Sequence, residues 1–391
     1  MDSTDRPQTG SDKQRTLFAN AFSFAESVAD NVAEWERNRA LDRSVFEQAA
    51  SVGLTAIEVP EDLGGLGLGF RDKVQTAEII SRSSMALAFA LTNSHNVAAR
   101  LAEISSPSHR RDLVPELIAG RRIGSTALTE PGAGSDFGAI STSAQKTADG
   151  WTLNGEKAWI TNAAISDVII CYAQTDPGAG PKGIASFLVD ATQPGFVRTE
   201  PYNLSGGHLI GTGGFRLEDH RVRDEDLLTE PGSGFASALA GVNGARVYVA
   251  AMCNAMVRSA LECAVRYGSE RETFGKTLLS HQGLAWSLAS IANKLEASTL
   301  LTDRAINMIE SGETSDIILA AAHAKKFATE IAEPAIAGCI QAMGAEGLRD
   351  HHPLGRHLAE ARIANFVDGS TEIQTERIAR SLRAVYQPAV Y

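Results

Sequence analysis

Cysteine, aromatic residues and positive charge are all scarce in this chain. Its four cysteines, Cys171, Cys253, Cys263 and Cys339, are scattered through 391 residues with no C-x-x-C spacing. That pattern argues against a zinc ribbon or a disulfide framework and predicts reduced thiols in a cytoplasmic protein. Lysine and arginine number 36 against 47 acidic residues, a net charge of −11. A protein that grips nucleic acid carries a basic stripe, and none is present. No run reaches the 18 or more apolar residues of a membrane span. The richest region, Phe235 to Val265, is broken by Asn243, Arg246, Asn254, Arg258 and Glu262. The opening residues, MDSTDRPQTGSDKQR, have no apolar signal core, so residues 1–15 are read as a short flexible lead. The glycines of the turn at 62–69 do not fit G-x-G-x-x-G and no Walker motif occurs, so the usual nicotinamide and ATP sites are unsupported. There is also no G-x-S-x-G nucleophile elbow. Nine histidines, including the pair His351 and His352 with His357 beyond, form no H-E-x-x-H, and no metal is expected.

What remains is enough to fold. Hydrophobic residues make up 43% and charged ones 21%, the composition of a globular protein of two or three domains. Apolar residues recur at helical intervals through Phe18, Phe22 and Val28, then Leu41, Val45, Phe46 and Ala49. Between about Ile123 and Leu228 the texture becomes short β-rich runs punctuated by Gly, Pro and Asn, as in an antiparallel sheet or barrel. From Gly234 onward long Ala-rich helical patterns return, suited to a bundle. The fold class is therefore α+β, with a helical domain over 16–122, a β domain over 123–230 and a helical bundle over 231–391.

Three segments carry candidate chemistry. In the first, TEPGAGSD at 129–136, glycines 132 and 134 let backbone N–H groups approach a ligand, and Thr129 and Ser135 add hydroxyls; an ordinary turn is the plainer reading. In the second, Trp159 stands between Lys157 and the pair Thr161-Asn162, where it either flanks a flat aromatic cofactor or fills a core. In the third, a helix from about Leu354 meets Asp368-Gly369, and Thr371 reads as the N-cap of a new helix with Gln374 as its capping-box partner. Asp368 is then either a surface turn residue or a carboxylate beside a helix N-terminus that welcomes phosphate. Arg246, inside an otherwise apolar helix, must be paired or reach a ligand; a simple ion pair is its plainest explanation.

Together these segments resemble the acyl-CoA dehydrogenase family, over nearly the whole chain from about residue 16. The resemblance rests on five ordered motifs: TEPGAGSD at 129–136, WITN at 159–162, ERETFGKTLLSHQ at 270–282, QAMGAEG at 341–347 and DGSTEIQ at 368–374. It implies an N-terminal helical domain, a middle antiparallel β-barrel and a C-terminal four-helix bundle, assembled as a homotetramer with FAD sites shared across subunits. Leu128, Thr129, Gly134 and Ser135, with Trp159, Ile160 and Thr161, would then hold the flavin side of FAD. Arg271, Thr273, Phe274, His281 and Gln282 would hold its adenine and diphosphate end in a neighbouring subunit, where a guanidinium matches a diphosphate with paired donors. Gln341, Gly344 and Ala345 would do the same, and Ser370, Thr371 and Glu372 would complete the cradle. Ser135, Asn243, Arg246 and Gly369 correspond to positions that line the acyl-CoA substrate. Such enzymes remove an α-proton from an acyl thioester while the β-hydride goes to the flavin, and pass the electrons to an electron-transfer flavoprotein.

At the base the chain departs from the common pattern. Most members place Glu before Gly-Thr; here the run is Asp368-Gly369-Ser370, and the alternative base position falls near Ala245, which is not acidic. Asp368 is thus the candidate base. Its side chain is shorter by one methylene, roughly 1.5 Å, and a misplacement of about 1 Å costs on the order of 100-fold. A short, branched or alicyclic acyl group is therefore expected. Members acting on alicyclic acyl-CoAs are similar in using Asp, and so are nitroalkane oxidases, which leaves a flavin oxidase or monooxygenase as one alternative. A dehydrogenase of a carrier-protein-bound acyl group is another, because carrier and CoA present the same phosphopantetheine arm. A non-catalytic, DNA-associated relative is disfavoured by the charge of −11 and by the retained carboxylate. The Gly-rich segment 204–214 fits no part of the family pattern.

Overall fold

The computed structural model describes residues 11–312 and 316–387. Residues 1–10 of the expected lead lie outside it, and the first helix already begins at Asp12, where Ser11 and Gln14 cap each other (Ser11 N to Gln14 Oε1, 2.7 Å). The chain runs α1 (Asp12–Ser27), α2 (Ala29–Asn38), α3 (Ser44–Ser51), α4 (Phe70–Ser81), α5 (Met85–Ile104), α6 (Pro107–Asp112) and α7 (Val114–Ile118). Eight strands follow: β1 (Gly124–Ala127), β2 (Ser143–Thr147), β3 (Gly150–Ile160), β4 (Val168–Gln174), β5 (Ile184–Asp190), β6 (Phe196–Arg198), β7 (Gly213–Val222) and β8 (Leu227–Thr229). Then come α8 (Gly234–Glu270), a two-stranded hairpin of β9 (Glu272–Thr273) and β10 (Lys276–Thr277), α9 (Gln282–Ser311), α10 (Ile317–Met343), α11 (Leu354–Ala364) and α12 (Thr371–Tyr386).

The β region is an open sheet, not the expected barrel. Its order is β6-β7-β3-β2-β4-β5-β8, and the end strands β6 and β8 do not pair with each other. Both are three residues long, and β8 leads almost at once into α8, whose first residue lies against the β5 backbone at Ile184. Nor is it wholly antiparallel. Strand β1 adds to β4 in parallel, Gly124 opposite Val168, and β2 meets the same edge through Ser143 and Gln174.

The helices before and after the sheet share one core. A single buried cluster joins Leu17, Phe24, Phe46 and Met85 to Val249, Met252 and Met256 of α8, and to Ala328, Cys339 and Ala361. A fully buried carboxylate ties the two ends polar-to-polar. Glu360 of α11 accepts from Ser84 Oγ (2.6 Å) and from the backbone N–H groups of Met85 (2.9 Å) and Ala86 (3.2 Å), at the exposed-donor end of α5.

The Gly-rich segment acquires a structural role here. Gly206 sits at φ 155°, and a Cβ on it would lie 2.6 Å from the Cβ of Ala359 in α11. His208 beside it fixes the segment to α2 through Glu36 (2.8 Å). Gly206→Ala is expected to cost about 2 kcal/mol, because both the backbone region and the fixed neighbour resist a side chain. Urea unfolding checks this; an unchanged midpoint would remove the explanation.

Candidate active site

The loop that carries Asp368 is built from its carbonyls outward. After α11 the chain turns back through Asp368 at φ 53° and Gly369 at φ 90°. A left-handed Asp costs free energy and persists only where neighbours over-determine it. Three elements do so. From α10, the fully buried Lys325 gives its ammonium to the carbonyls of Val367 and Gly369. From α8, Arg246 Nε donates to the Asp368 carbonyl at 3.1 Å. From α12, Gln374 Nε2 donates to the Gly369 carbonyl at 2.9 Å. A side chain at position 369 would crowd Gln374 Nε2 at 3.0 Å and Arg246 Nη2 at 3.3 Å and would be strained at φ 90°, so both backbone and neighbours favour glycine. Ser370, not Thr371, is the N-cap of α12, accepting from Ile373 N (3.4 Å). The cap moves one residue back because Thr371 turns its hydroxyl to Asn365 Oδ1 (2.9 Å).

The clamp leaves the carboxyl group itself free. Asp368 Oδ2 is buried and has no hydrogen-bond partner among the described residues. Burial pushes its pKa up to about 6, while Lys325 and Arg246 hold it from rising further. Both cations spend their hydrogen bonds on neighbouring carbonyl or amide oxygens, so they tune the carboxylate without neutralising it. Arg246 is 1% exposed and forms no ion pair among the described residues, contrary to its plainest sequence explanation; its Nη1 donates to Asn243 Oδ1 at 2.7 Å. Burial, with Arg377 nearby, brings its pKa down to about 10. Burial likewise lowers Lys325 to about 8, against the pull of Asp368. A buried, partnerless acid held near neutrality is suited to proton abstraction.

A second cluster shapes the aromatic face. Lys157 of β3 is fully buried and pairs with Glu130 at 2.8 Å, and its ammonium also reaches the Leu128 carbonyl at 3.2 Å. Glu130 further accepts from Ser141 N (2.7 Å) and Thr142 N (2.9 Å). Burial opposes the ionised Glu130, but Lys157 and these donors prevail and hold its pKa at about 2. Ala158 N donates to the Thr129 carbonyl at 3.0 Å, completing the strap between the loop and β3. Just beyond, the β3–β7 register breaks between Lys157 and Ile160, and Trp159 turns out at φ 60°. Its ring is 60% exposed, edge-on to Tyr202 with centroids 4.8 Å apart, while Ala158 and Ile160 are buried. Trp159 is therefore not core. An exposed aromatic on a strand strapped to the 128–135 loop, where Gly134 and Ser135 are open and Leu128 and Thr129 partly buried, fits a flat ring system.

The remaining predicted residues lie elsewhere in the chain. Arg271 is exposed where α8 ends. His281 Nε2 binds the Thr273 carbonyl (3.2 Å), and Phe274 at the hairpin tip is 97% exposed. Gln282 opens α9, and Gln341, Gly344 and Ala345 are exposed at the end of α10. Among the described residues no hydrogen bond links either group to Asp368 or Trp159. Ser370, Thr371 and Glu372 adjoin Asp368 by sequence at the start of α12. Near the α10 end, Glu346, His351 and His352 bring one ligand atom each within 4.8 Å of one another, a grouping their sequence spacing does not display. Two functional residues escape the sequence reading: Lys325, whose one signal is a lysine on the alanine face of α10, and Glu130, hidden inside a glycine loop.

Models of the acyl-CoA dehydrogenase N-terminal, middle and C-terminal domains match residues 11–121, 125–220 and 232–383. The human mitochondrial short-chain specific acyl-CoA dehydrogenase is 33% identical over 388 residues, 98% of this chain and 92% of that protein. Butyryl-CoA dehydrogenase from Megasphaera elsdenii superposes with a TM-score of 0.90 at 28% identity, covering 95% of this chain and 98% of the other. The structure of PigA with FAD and proline gives 0.88 at 27% identity, covering 98% and 99%. No helix among the described residues is long and apolar enough to cross a membrane.

Proposed function

The chain belongs to the acyl-CoA dehydrogenase family of FAD-dependent oxidoreductases, and we propose that it desaturates a short, branched or alicyclic acyl thioester at the α,β bond. The observation that carries this reading is the buried, partnerless Oδ2 of Asp368 in a loop clamped by three helices. Ionised, that oxygen takes the α-proton. The Asp368 backbone N–H donates to no acceptor among the described residues and is available to the thioester oxygen as negative charge develops there. Arg246, Asn243, Gly369 and Ser135 would line the thioester and pantetheine path. Bound FAD supplies the acceptor for the β-hydride, and an electron-transfer flavoprotein would take the electrons onward. Leu128, Thr129, Gly134 and Ser135 with Trp159, Ile160 and Thr161 would hold its flavin side. Arg271, Thr273, Phe274, His281, Gln282, Gln341, Gly344, Ala345 and the 370–372 turn are assigned to cradles completed across a homotetramer. The exposure of Phe274 supports that assembly.

The test is an anaerobic titration of the yellow holoenzyme with straight, branched and cyclic acyl-CoAs, followed by flavin absorbance. Bleaching by one class supports the reading and names the shape; bleaching by none sinks it. A pH profile adds an independent check. Because the base works ionised and its pKa is raised to about 6, kcat/KM should climb with pH and level off above a midpoint near 6. A flat profile from pH 5 to 8 would remove Asp368 as the base.

A further inference from the structure

Beside the Asp368 loop, the junction of α4, α5 and α8 is polar where a hydrocarbon tail would need apolar walls. Lys73 Nζ lies 2.5 Å from Glu58 Oε2, donates to Asn96 Oδ1 at 3.1 Å, and stands 4.9 Å from the centre of the Phe70 ring. His95 Nε2 approaches the same Glu58 oxygen at 3.2 Å. Asn96 Nδ2 in turn donates to the phenol oxygen of Tyr248 at 3.4 Å. Lys73, His95 and Tyr248 are all buried. Burial keeps the Tyr248 phenol protonated, and this file lies close enough to the base for the Asp368 charge to help. Tyr248 stands two residues beyond Arg246 on α8, and the Phe70 ring packs 3.4 Å from where a Cβ would sit on Gly244.

The network is balanced in charge but incomplete in hydrogen bonds. Glu58 offsets Lys73, so a further anion is not called for. Tyr248 accepts from Asn96 and keeps its own proton, for which no acceptor exists among the described residues. Asn93 Oδ1 is buried without a partner among the described residues. On α5, Phe89 and Asn96 both meet Tyr248, the first with ring centroids 6.1 Å apart, and Asn93 lies one turn from each on the same face. A free donor and a free acceptor thus share one buried junction, and each is costly to leave unmade. A hydroxyl group, which both accepts and donates, completes the pair.

We propose that this junction is a subsite for an uncharged hydroxyl on the acyl chain, bound between Tyr248 and Asn93, so that the substrate is a short hydroxyacyl thioester. The inference rests on the desaturation reading for the identity of the thioester end. Its test uses the holoenzyme with butanoyl-CoA, 4-hydroxybutanoyl-CoA and succinyl-CoA, read by anaerobic flavin reduction. The hydroxyacyl thioester is expected to exceed butanoyl-CoA in kcat/KM by about tenfold, and Tyr248→Phe, which keeps the ring, to bring that ratio near one. Equal rates with the two thioesters, a ratio insensitive to Tyr248→Phe, or a preference for succinyl-CoA would each overturn it. Calorimetric Kd values for the same thioesters in Asp368→Asn holoenzyme separate the two ideas. If no thioester bleaches the wild-type flavin, desaturation fails, and the Kd ratio still decides the subsite: about tenfold sustains it, and parity rejects it.

Discussion

Asp368→Asn should lower kcat for thioester desaturation by about 10³-fold or more while acyl-CoA still binds. General-base contributions run to roughly 10²–10⁴-fold, and here no other carboxylate shares the loop. The substitution is close to isosteric. The three clamps act on the carbonyls of Val367, Asp368 and Gly369 and not on the side chain, so the turn should survive intact. Stopped-flow flavin reduction measures the loss, and retention of a tenth of the wild-type rate would assign the proton to another group. Asp368→Glu is informative beside it. Its extra methylene, about 1.5 Å, overshoots a site shaped for Asp, and a loss on the order of 100-fold is expected despite the conserved charge.

Lys157→Met is the largest expected stability effect. It strands Glu130, 4% exposed, without its cation, and breaking one side of a buried pair costs about 3–5 kcal/mol. The Leu128 carbonyl loses a donor at the same time. Guanidinium unfolding should show the loss. Replacing both partners, Glu130→Leu with Lys157→Met, should recover much of it, because no charge is then left buried. A single-variant cost below 1 kcal/mol would mean that water reaches Glu130 and that the pair does not strap the 128–142 loop to β3.

The α–β–α order was legible because hydrophobic period is a local property, and α11 begins at Leu354, where the sequence reading starts that helix. Sheet closure was not legible. Whether β6 meets β8 depends on strand stagger, and the parallel addition of β1 to β4 joins residues more than forty positions apart. Asp368 could be picked out from its motif. Its protonation behaviour could not, since that depends on Lys325 and Arg246 arriving from two other helices. Trp159 shows the same limit. A tryptophan within a β-rich run could equally fill a core or flank a cofactor, and only the register break after Lys157 turns its ring outward. The segment 204–214 had no explanation in the sequence because its Gly206 serves a neighbour, α11, that lies about 150 residues further along the chain.

The core shared between the first and last helices bears on how the chain is made. On a ribosome, α4 and α5 emerge well before α8, α10 and α11, against which they bury their apolar faces. At about 5–20 residues per second, those faces wait on the order of tens of seconds for their partners. The N-terminal end of α5 waits longest, since the carboxylate that satisfies it, Glu360, follows Met85 by 275 residues. Synthesis therefore passes through a half-made stage in which the nascent helices must be shielded by a chaperone or by their own transient association.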